Sequence, residues 1–180
     1  MGPLDAYDAV ATKLDVSEFA SKNVPQDVKL KVLEAARLSG SGMNVQHWRF
    51  ILVQGRDRLK TLASDSTTGR WVESADFAVI VLTNPKYGFH LIDAGRALTS
   101  MQIAAWNFGV ASRIFTGVNR EALEKDFGIP KDLSPSVIVG FGYPTRKISG
   151  KKKRKPLSKV AFLDRFGKPF TRDEPSSSQQ

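Results

Sequence analysis

The chain has 180 residues, of which 41% are hydrophobic and 25% charged, so it is long and apolar enough to form a globular domain with a sizeable core. It contains no cysteine and two histidines, which excludes disulfides, thiol nucleophiles, and thiolate or histidine-rich metal sites. The formal net charge is +9, but seven basic residues lie between residues 146 and 155, and without them it is 9 − 7 = +2.

The first half of the chain alternates between helical and extended patterns. Apolar residues at helical spacing predict a helix over residues 3–13 and a clearer one over residues 25–38, which starts with a proline suited to a first helical turn. A segment rich in small residues follows at residues 39–49. The continuous apolar run at residues 50–53 is typical of a buried strand, and residues 56–63 are predicted to form a short helix.

The second half continues the same alternation. Residues 77–82 form the longest strongly apolar stretch, which predicts a buried strand and is far too short to cross a bilayer. A polar surface segment is predicted before this strand. After the strand, the longest periodic element is a helix over residues 93–108, whose broad apolar face is rich in small residues. Strands are predicted over residues 110–115 and 136–142, with a helix over residues 120–127 between them.

This order of elements predicts a layered fold, α/β or α+β, in which helices cover a sheet. The sequence contains no internal repeat and no linker, so we predict a single domain over residues 1–170 and a polar C-terminal tail at residues 171–180. No positively charged segment precedes an apolar run near the start of the chain, and we therefore expect a cytoplasmic protein without membrane contact.

The junction between the second helix and the first strand is the most informative segment, and it reads SGSGMNVQHW over residues 39–48. Glycines let a backbone approach a flat ligand closely, and the amides of Asn44 and Gln46 can both donate and accept hydrogen bonds along a heteroaromatic edge. The glycine-rich part follows a helix, which argues against a hydrolase nucleophile turn and a dinucleotide-binding turn. A glycine-rich helix end before a strand would give the same residues, so this segment alone leaves both interpretations open.

The segment resembles the flavin-binding loop of the FMN-dependent nitroreductase family, which usually reads Pro-Ser-small-x-Asn-x-Gln-Pro-Trp. Four polar or aromatic positions are in register, and Gly40 and His47 stand where the family most often has proline. Further short motifs are similar and follow in the family's order. They lie at residues 92–97, 108–112 with 116–117, 139–144, and 154–157 through 164–167. Together these motifs cover about residues 10–167, which identifies the chain as a member of this family.

The resemblance implies an α+β, nitroreductase-like layered fold. Its central, mostly antiparallel sheet is surrounded by helices, and two chains form an intertwined homodimer with two FMN sites at the subunit interface. The small-residue face of the helix over residues 93–108 is consistent with a position at the dimer core. A buried helix of a monomer would have the same pattern, so the periodicity leaves the oligomeric state open.

The resemblance also implies which residues bind FMN. The flavin ring is expected to contact the loop and a later turn, through Gly40, Ser41, Gly42, Asn44, Gln46, Thr116 and Gly117. The phosphate is expected near an N-terminal segment and a basic segment, at Lys13, Leu14, Asp15, Ser17, Lys152 and Arg154. We predict Trp48 to be a core residue, and we assign no metal ligand and no catalytic side chain.

The N-terminal segment departs from the family. The usual pattern is Arg-x-Ser-x-Arg/Lys-x-Phe, whereas this chain has Lys13, Asp15 and Ser17 at the first three of these positions. A carboxylate that pointed at the phosphate would oppose its binding, so Asp15 either turns away, pairs with Lys13, or marks an altered site.

The reaction implied by the resemblance is a ping-pong transfer in which NADH or NADPH gives hydride to FMN and an electron-poor acceptor, such as a nitroaromatic or a quinone, then takes two electrons. The sequence leaves open the choice of nicotinamide and the identity of the acceptor. Two alternatives stay open: a flavin-binding or flavin-modifying relative without nitroreductase turnover, and a nucleic-acid-associated protein that uses the basic run at residues 151–155. The second is disfavoured because no aromatic residues interleave with that run.

Overall fold

The computed structural model describes residues 5–148 and 152–170. Its contacts divide the chain into two compact units, with the boundary between residues 149 and 150. All of the long helices and strands belong to the first unit. The prediction of one domain over residues 1–170 stays a prediction, and the tail at residues 171–180 lies outside the described residues.

Five α-helices and four β-strands alternate along the first unit, as predicted. The helices are α1 (Ala6–Thr12), α2 (Gln26–Arg37), α3 (Arg56–Ser64), α4 (His90–Asn107) and α5 (Arg120–Phe127). The strands are β1 (Arg49–Gln54), β2 (Phe77–Thr83), β3 (Ala111–Phe115) and β4 (Ser134–Gly142). No helix among the described residues is long and apolar enough to cross a membrane.

The four strands form one antiparallel sheet in the order β1-β2-β4-β3. The central strand β2 is buried along its whole length, which explains its uninterrupted apolar sequence. Alternate residues point to opposite faces, so Phe77 packs with α2 and α4 while Ala78 packs with α3 and α5. Helices therefore cover both faces of the sheet, and the α+β prediction is confirmed.

Helix α4 and the segment before β2 differ from the prediction in an informative way. Helix α4 begins at His90, three residues before the predicted start, because a turn through Asn84, Tyr87 and Phe89 leads directly into it. The polar surface segment predicted before β2 contains a 3-10 turn at Arg70–Ser74, in which Val72 is fully buried. The sequence does not reveal this contact, because a single buried valine between Trp71 and Glu73 produces no periodic pattern.

Candidate functional site

The predicted ligand loop connects α2 to β1 through a 3-10 turn at Gly42–Asn44. Three of its non-glycine residues have left-handed backbone conformations: Met43, Asn44 and Gln46 have φ values of 49°, 55° and 53°. Each such residue costs on the order of 1 kcal/mol and persists only where its surroundings hold it. The loop must therefore be fixed by contacts from elsewhere in the chain.

Asp93, in the first turn of α4, supplies the main contact, and it is only 1% exposed. Its carboxylate accepts the Gly42 N–H at 3.0 and 3.2 Å and lies 3.0 Å from His47 Nε2. The Asn84 N–H donates to His47 Nδ1 at 3.3 Å, so the proton of a neutral His47 ring lies on Nε2 and is donated to Asp93. One buried carboxylate thus holds both ends of the turn.

Hydrogen bonds inside the loop fix which polar groups face outward. The Ser41 hydroxyl oxygen accepts the Gln46 N–H at 2.9 Å, so its own O–H remains available as a donor. The Gln46 amide donates to Asn44 Oδ1 at 3.1 Å, which leaves the Asn44 NH₂ group as a pair of donors. Asn44 and Gln46 are exposed and Ser41 is half-buried. The loop therefore presents donors, and it matches a ligand edge rich in hydrogen-bond acceptors.

The two glycines at the start of the loop lie against side chains of this chain. A Cβ at Gly42 would lie 2.6 Å from the Phe89 ring, and a Cβ at Gly40 would lie 1.9 Å from a guanidinium nitrogen of Arg96. Close packing against the Phe89 ring thus accounts for Gly42, whereas the half-exposed Arg96 side chain could move away from a Cβ at Gly40. Their predicted contact with a cofactor stays a prediction.

The N-terminal segment contains the ion pair that was one of three arrangements left open for Asp15. Lys13 Nζ contacts Asp15 Oδ1, and the side chain of Gln102 in α4 also reaches that oxygen, at 3.5 Å. Gln102 Nε2 donates to the buried Ser112 hydroxyl at 3.0 Å, which ties this network to β3. Asp15 therefore neutralises the one cation that the family's phosphate motif retains here.

Leu14 and Ser17, the other predicted residues of this segment, line a cleft of about 410 Å³ between residues 14–18 and 144–148. Both residues are half-buried. Sequence reasoning did not place the second wall of this cleft, which contains Arg146 and Lys147.

The predicted turn at Thr116 and Gly117 follows β3 and is covered by a loop that sequence reasoning missed. Gly117 accepts a hydrogen bond from the Thr67 N–H at 2.9 Å. A Cβ at Gly117 would lie 2.5 Å from the Thr67 hydroxyl and 2.6 Å from that of Thr68. Both threonines are exposed. They lie in a polar segment that is typical of a surface loop, so no sequence signal connects them with the turn.

Asp65 anchors the same loop at the end of α3. Its backbone carbonyl accepts the Asn119 N–H at 2.7 Å, while its carboxylate is buried and Oδ2 has no hydrogen-bond partner among the described residues. Burial raises the pKa of the Asp65 carboxyl above its ordinary value, the charge of Asp126 adds to the effect, and Arg58 opposes it.

Lys152 and Arg154 belong to the second unit. Arg154 is exposed and donates to the Lys153 carbonyl at 2.9 Å, and Lys152 is half-buried. Their predicted contact with a phosphate stays a prediction.

The first unit places the predicted residues in three separate groups. Asp93, which holds the loop, and Gln102, which contacts Asp15, are nine residues apart on α4, or about 14 Å along its axis. The turn at Thr116 and Gly117 contacts neither group through any hydrogen bond among the described residues. Those residues also contain no cluster of three or more His, Cys, Asp or Glu that could hold a metal.

Comparison with known sequences identifies the family. The model of the nitroreductase family matches residues 14–82 and 68–143, which is well over half of the chain. The chain belongs to the nitroreductase family. The match contains the loop at residues 39–48 and the motifs at residues 92–97 and 108–117, whereas the motif at residues 154–167 lies outside the matched residues.

Archaeal proteins are among the relatives of this nitroreductase-family chain. It is 27% identical over 150 residues to a protein of Methanothermobacter thermautotrophicus, covering 78% of each chain. It is 28% identical over 145 residues to one of Archaeoglobus fulgidus, covering 75% of this chain and 83% of the relative. Both relatives are named for an inferred NADH dehydrogenase/NAD(P)H nitroreductase activity.

Solved structures share the fold. An FMN-dependent nitroreductase from Clostridium difficile R20291 superposes with a TM-score of 0.79 at 19% identity, covering 86% of this chain and 96% of the other. At that identity the similarity establishes the fold alone.

Proposed function

We propose that the protein is an FMN-dependent oxidoreductase that passes hydride from NADH or NADPH to an electron-poor acceptor such as a nitroaromatic or a quinone. Family membership and the nitroreductase names of its relatives support this proposal. The donor and the acceptor substrates would use one site in turn, in a ping-pong mechanism.

The observation that carries the proposal is the set of donors on the loop. The pyrimidine edge of a flavin consists mainly of acceptors, namely two carbonyl oxygens and N1, and its N3–H group is a donor. Ser41 and Asn44 present free donors, and their orientation is fixed by bonds to Gln46. The residues of this chain therefore fit the ring of FMN.

Bound FMN would supply the redox chemistry, and the chain's residues would bind and orient it. Ser41 and Asn44 would hold the ring, and the Asp93 carboxylate, which accepts the Gly42 N–H, would keep their loop in its strained conformation. His47 is buried against Asp93 and His90 Nδ1 is bonded to Thr83, so we assign neither histidine to proton transfer.

A second copy of the chain would complete the site. The outward face of α4 borders a shallow cleft of about 850 Å³, lined by apolar and small residues that include Ile92, Gly95 and Ile103. Leu91 and Ile92 are 61% and 65% exposed at the start of the same helix. Burying this face against its copy would bring together residues that one chain keeps apart. A monomer mass in sedimentation equilibrium would contradict this arrangement.

The proposed function predicts a yellow protein with an absorption band near roughly 450 nm. Anaerobic NADH or NADPH should bleach the band, and a nitroaromatic or a quinone should restore it. Parallel lines in double-reciprocal plots would support ping-pong kinetics. A colourless protein that FMN does not reconstitute would sink the proposal.

Asn44→Gly is the sharpest test of the ring-binding loop. Glycine removes the amide and tolerates the left-handed backbone at this position, so the variant isolates the lost hydrogen bonds. We expect FMN affinity to fall about fivefold, since a hydrogen bond contributes roughly 1 kcal/mol. Met43→Gly is the matched control, because Met43 is also left-handed and is 81% exposed. Equal FMN affinity in the Asn44→Gly variant and the wild type, measured by fluorescence titration, would remove Asn44 from the site.

One observation favours a second candidate function. Because Asp15 neutralises Lys13, the N-terminal segment has less charge to offer a phosphate than the family pattern has. A flavin-binding or flavin-modifying relative without nitroreductase turnover would show bound flavin that NADH and NADPH do not reduce. The nucleic-acid alternative would require salt-sensitive binding of oligonucleotides, which a titration at two salt concentrations would detect.

A further inference from the structure

The cleft between residues 14–18 and 144–148, which we call the N-terminal cleft, has walls fixed by backbone hydrogen bonds. The Val16 N–H donates to the Ser112 carbonyl at 3.0 Å, and the Ala20 N–H donates to the Tyr143 carbonyl at 2.8 Å. The Thr145 N–H joins the two walls directly by donating to the Glu18 carbonyl at 3.3 Å. The opening of about 410 Å³ is therefore part of the fold and is large enough for a phosphate group.

The charge beside the first wall is already paired. Lys13 Nζ lies against Asp15 Oδ1, and the lysine side chain is 15% exposed. An anion that used Lys13 would have to compete with Asp15, which Gln102 also contacts. Since the two charges cancel at this distance, Lys13 offers little attraction to a phosphate in this conformation.

The second wall carries two cations without such partners. Arg146 and Lys147 line the cleft, and both are exposed. Within the described residues, neither forms an ion pair or a side-chain hydrogen bond. The lining also contains the carboxylates of Asp15 and Glu18. Because Asp15 is paired with Lys13, Glu18 alone opposes the two cations, and one positive charge is left over. Guanidinium and ammonium groups are the usual partners of a phosphate dianion.

We propose that Arg146 and Lys147, on the second wall of the N-terminal cleft, replace the cations missing from the N-terminal motif and bind the phosphomonoester of the flavin cofactor. This inference rests on the proposed function. Asp15 then acts as a specificity-determining residue, because its pairing with Lys13 lowers the preference of the site for a phosphorylated flavin.

The test compares FMN with riboflavin, which has the same ring system and no phosphate. Both are titrated into flavin-free protein by fluorescence quenching, with no nicotinamide present, so only the flavin phosphate is probed. Replacing both Arg146 and Lys147 by Gln should weaken FMN binding about tenfold or more, since two charge-assisted contacts are lost, and change riboflavin binding less than about twofold. Asp15→Asn should strengthen FMN binding several-fold by releasing Lys13, again with riboflavin unchanged.

The matched control is the double variant Lys125→Gln/Lys131→Gln, which removes two exposed cations away from the cleft. It should leave both titrations unchanged, and if it lowers FMN affinity as much, the effect is one of net charge and the inference fails. Unchanged FMN affinity in the Arg146/Lys147 variant would also overturn it, as would equal losses for both flavins. A wild type that binds FMN and riboflavin equally well would refute the inference alone, whereas one that binds neither would refute the proposed function.

Discussion

Asp93→Ala is expected to destabilise the protein by roughly 3–5 kcal/mol, because it leaves the Gly42 and His47 N–H groups without their acceptor in a buried site. The same change should lower FMN affinity by about tenfold to a hundredfold. The left-handed residues Met43 and Asn44 then lose the contact that holds them, and part of the binding energy is spent on reordering the loop. Urea unfolding and flavin titration measure the two effects.

Three variants separate the Asp93 contact from a general effect of losing a carboxylate. Asp57→Ala removes an exposed acid from the first turn of α3, as Asp93 lies in the first turn of α4, and should cost less than about 1 kcal/mol. Asp93→Asn keeps one acceptor oxygen and should fall between the alanine variant and the wild type. His47→Gln breaks one of the two contacts. If Asp93→Ala matched Asp57→Ala in both measurements, the role assigned to Asp93 would be wrong.

Asp76→Ala should reduce stability by a similar amount, roughly 3–5 kcal/mol, and leave FMN affinity unchanged. Lys29 Nζ lies 2.8 Å from Asp76 Oδ2, off the direction of a good hydrogen bond, so charge attraction holds the pair. The two side chains are 10% and 9% exposed, and removing the carboxylate leaves a buried ammonium group facing the Phe77 ring. Urea unfolding measures the loss.

The chain offers a matched pair of the same residue types on its surface. Lys31 and Asp27 lie 3.8 Å apart at 57% and 68% exposure, so Asp27→Ala should cost less than about 0.5 kcal/mol. Replacing both members of the buried pair, with Lys29→Met and Asp76→Leu, should recover most of the stability. A loss in Asp76→Ala no larger than that in Asp27→Ala would show that the buried pair is not a stabilising contact.

The predicted elements agree with the structure where the pattern is local and long. The run at residues 77–82 predicts β2 because a strand covered on both faces needs no polar residue, and its flanking helices follow the 3.6-residue period. The start of α4 was placed three residues late, since the turn at Tyr87 and Phe89 that precedes it has no helical pattern. Trp48, predicted to be a core residue, is buried and stacks on Phe50.

The candidate site was predicted less completely than the fold. The motifs and their order predict site residues in the loop at residues 39–48 and at Thr116 and Gly117. They predict no role for Asp93 beyond its place in a helix. The sequence does contain a usable signal: Asp93 lies four and eight residues before Ala97 and Met101, so it shares the apolar face of the helix, where an acid needs a partner. No comparable signal marks Thr67 and Thr68, since nothing in their neighbourhood distinguishes them from a surface loop.

The sequence by itself determined the helices and strands, the family, and the segment that presents donors to a ligand, because these depend on residues close together in the chain. Only the tertiary structure shows that the loop is fixed by Asp93 and that the charge of Lys13 is paired with Asp15. The Gly42–Asp93 and Asp15–Gln102 contacts join residues 51 and 87 positions apart. Local periodicity carries no information on such distances, since the path of the chain between the two residues sets whether they meet.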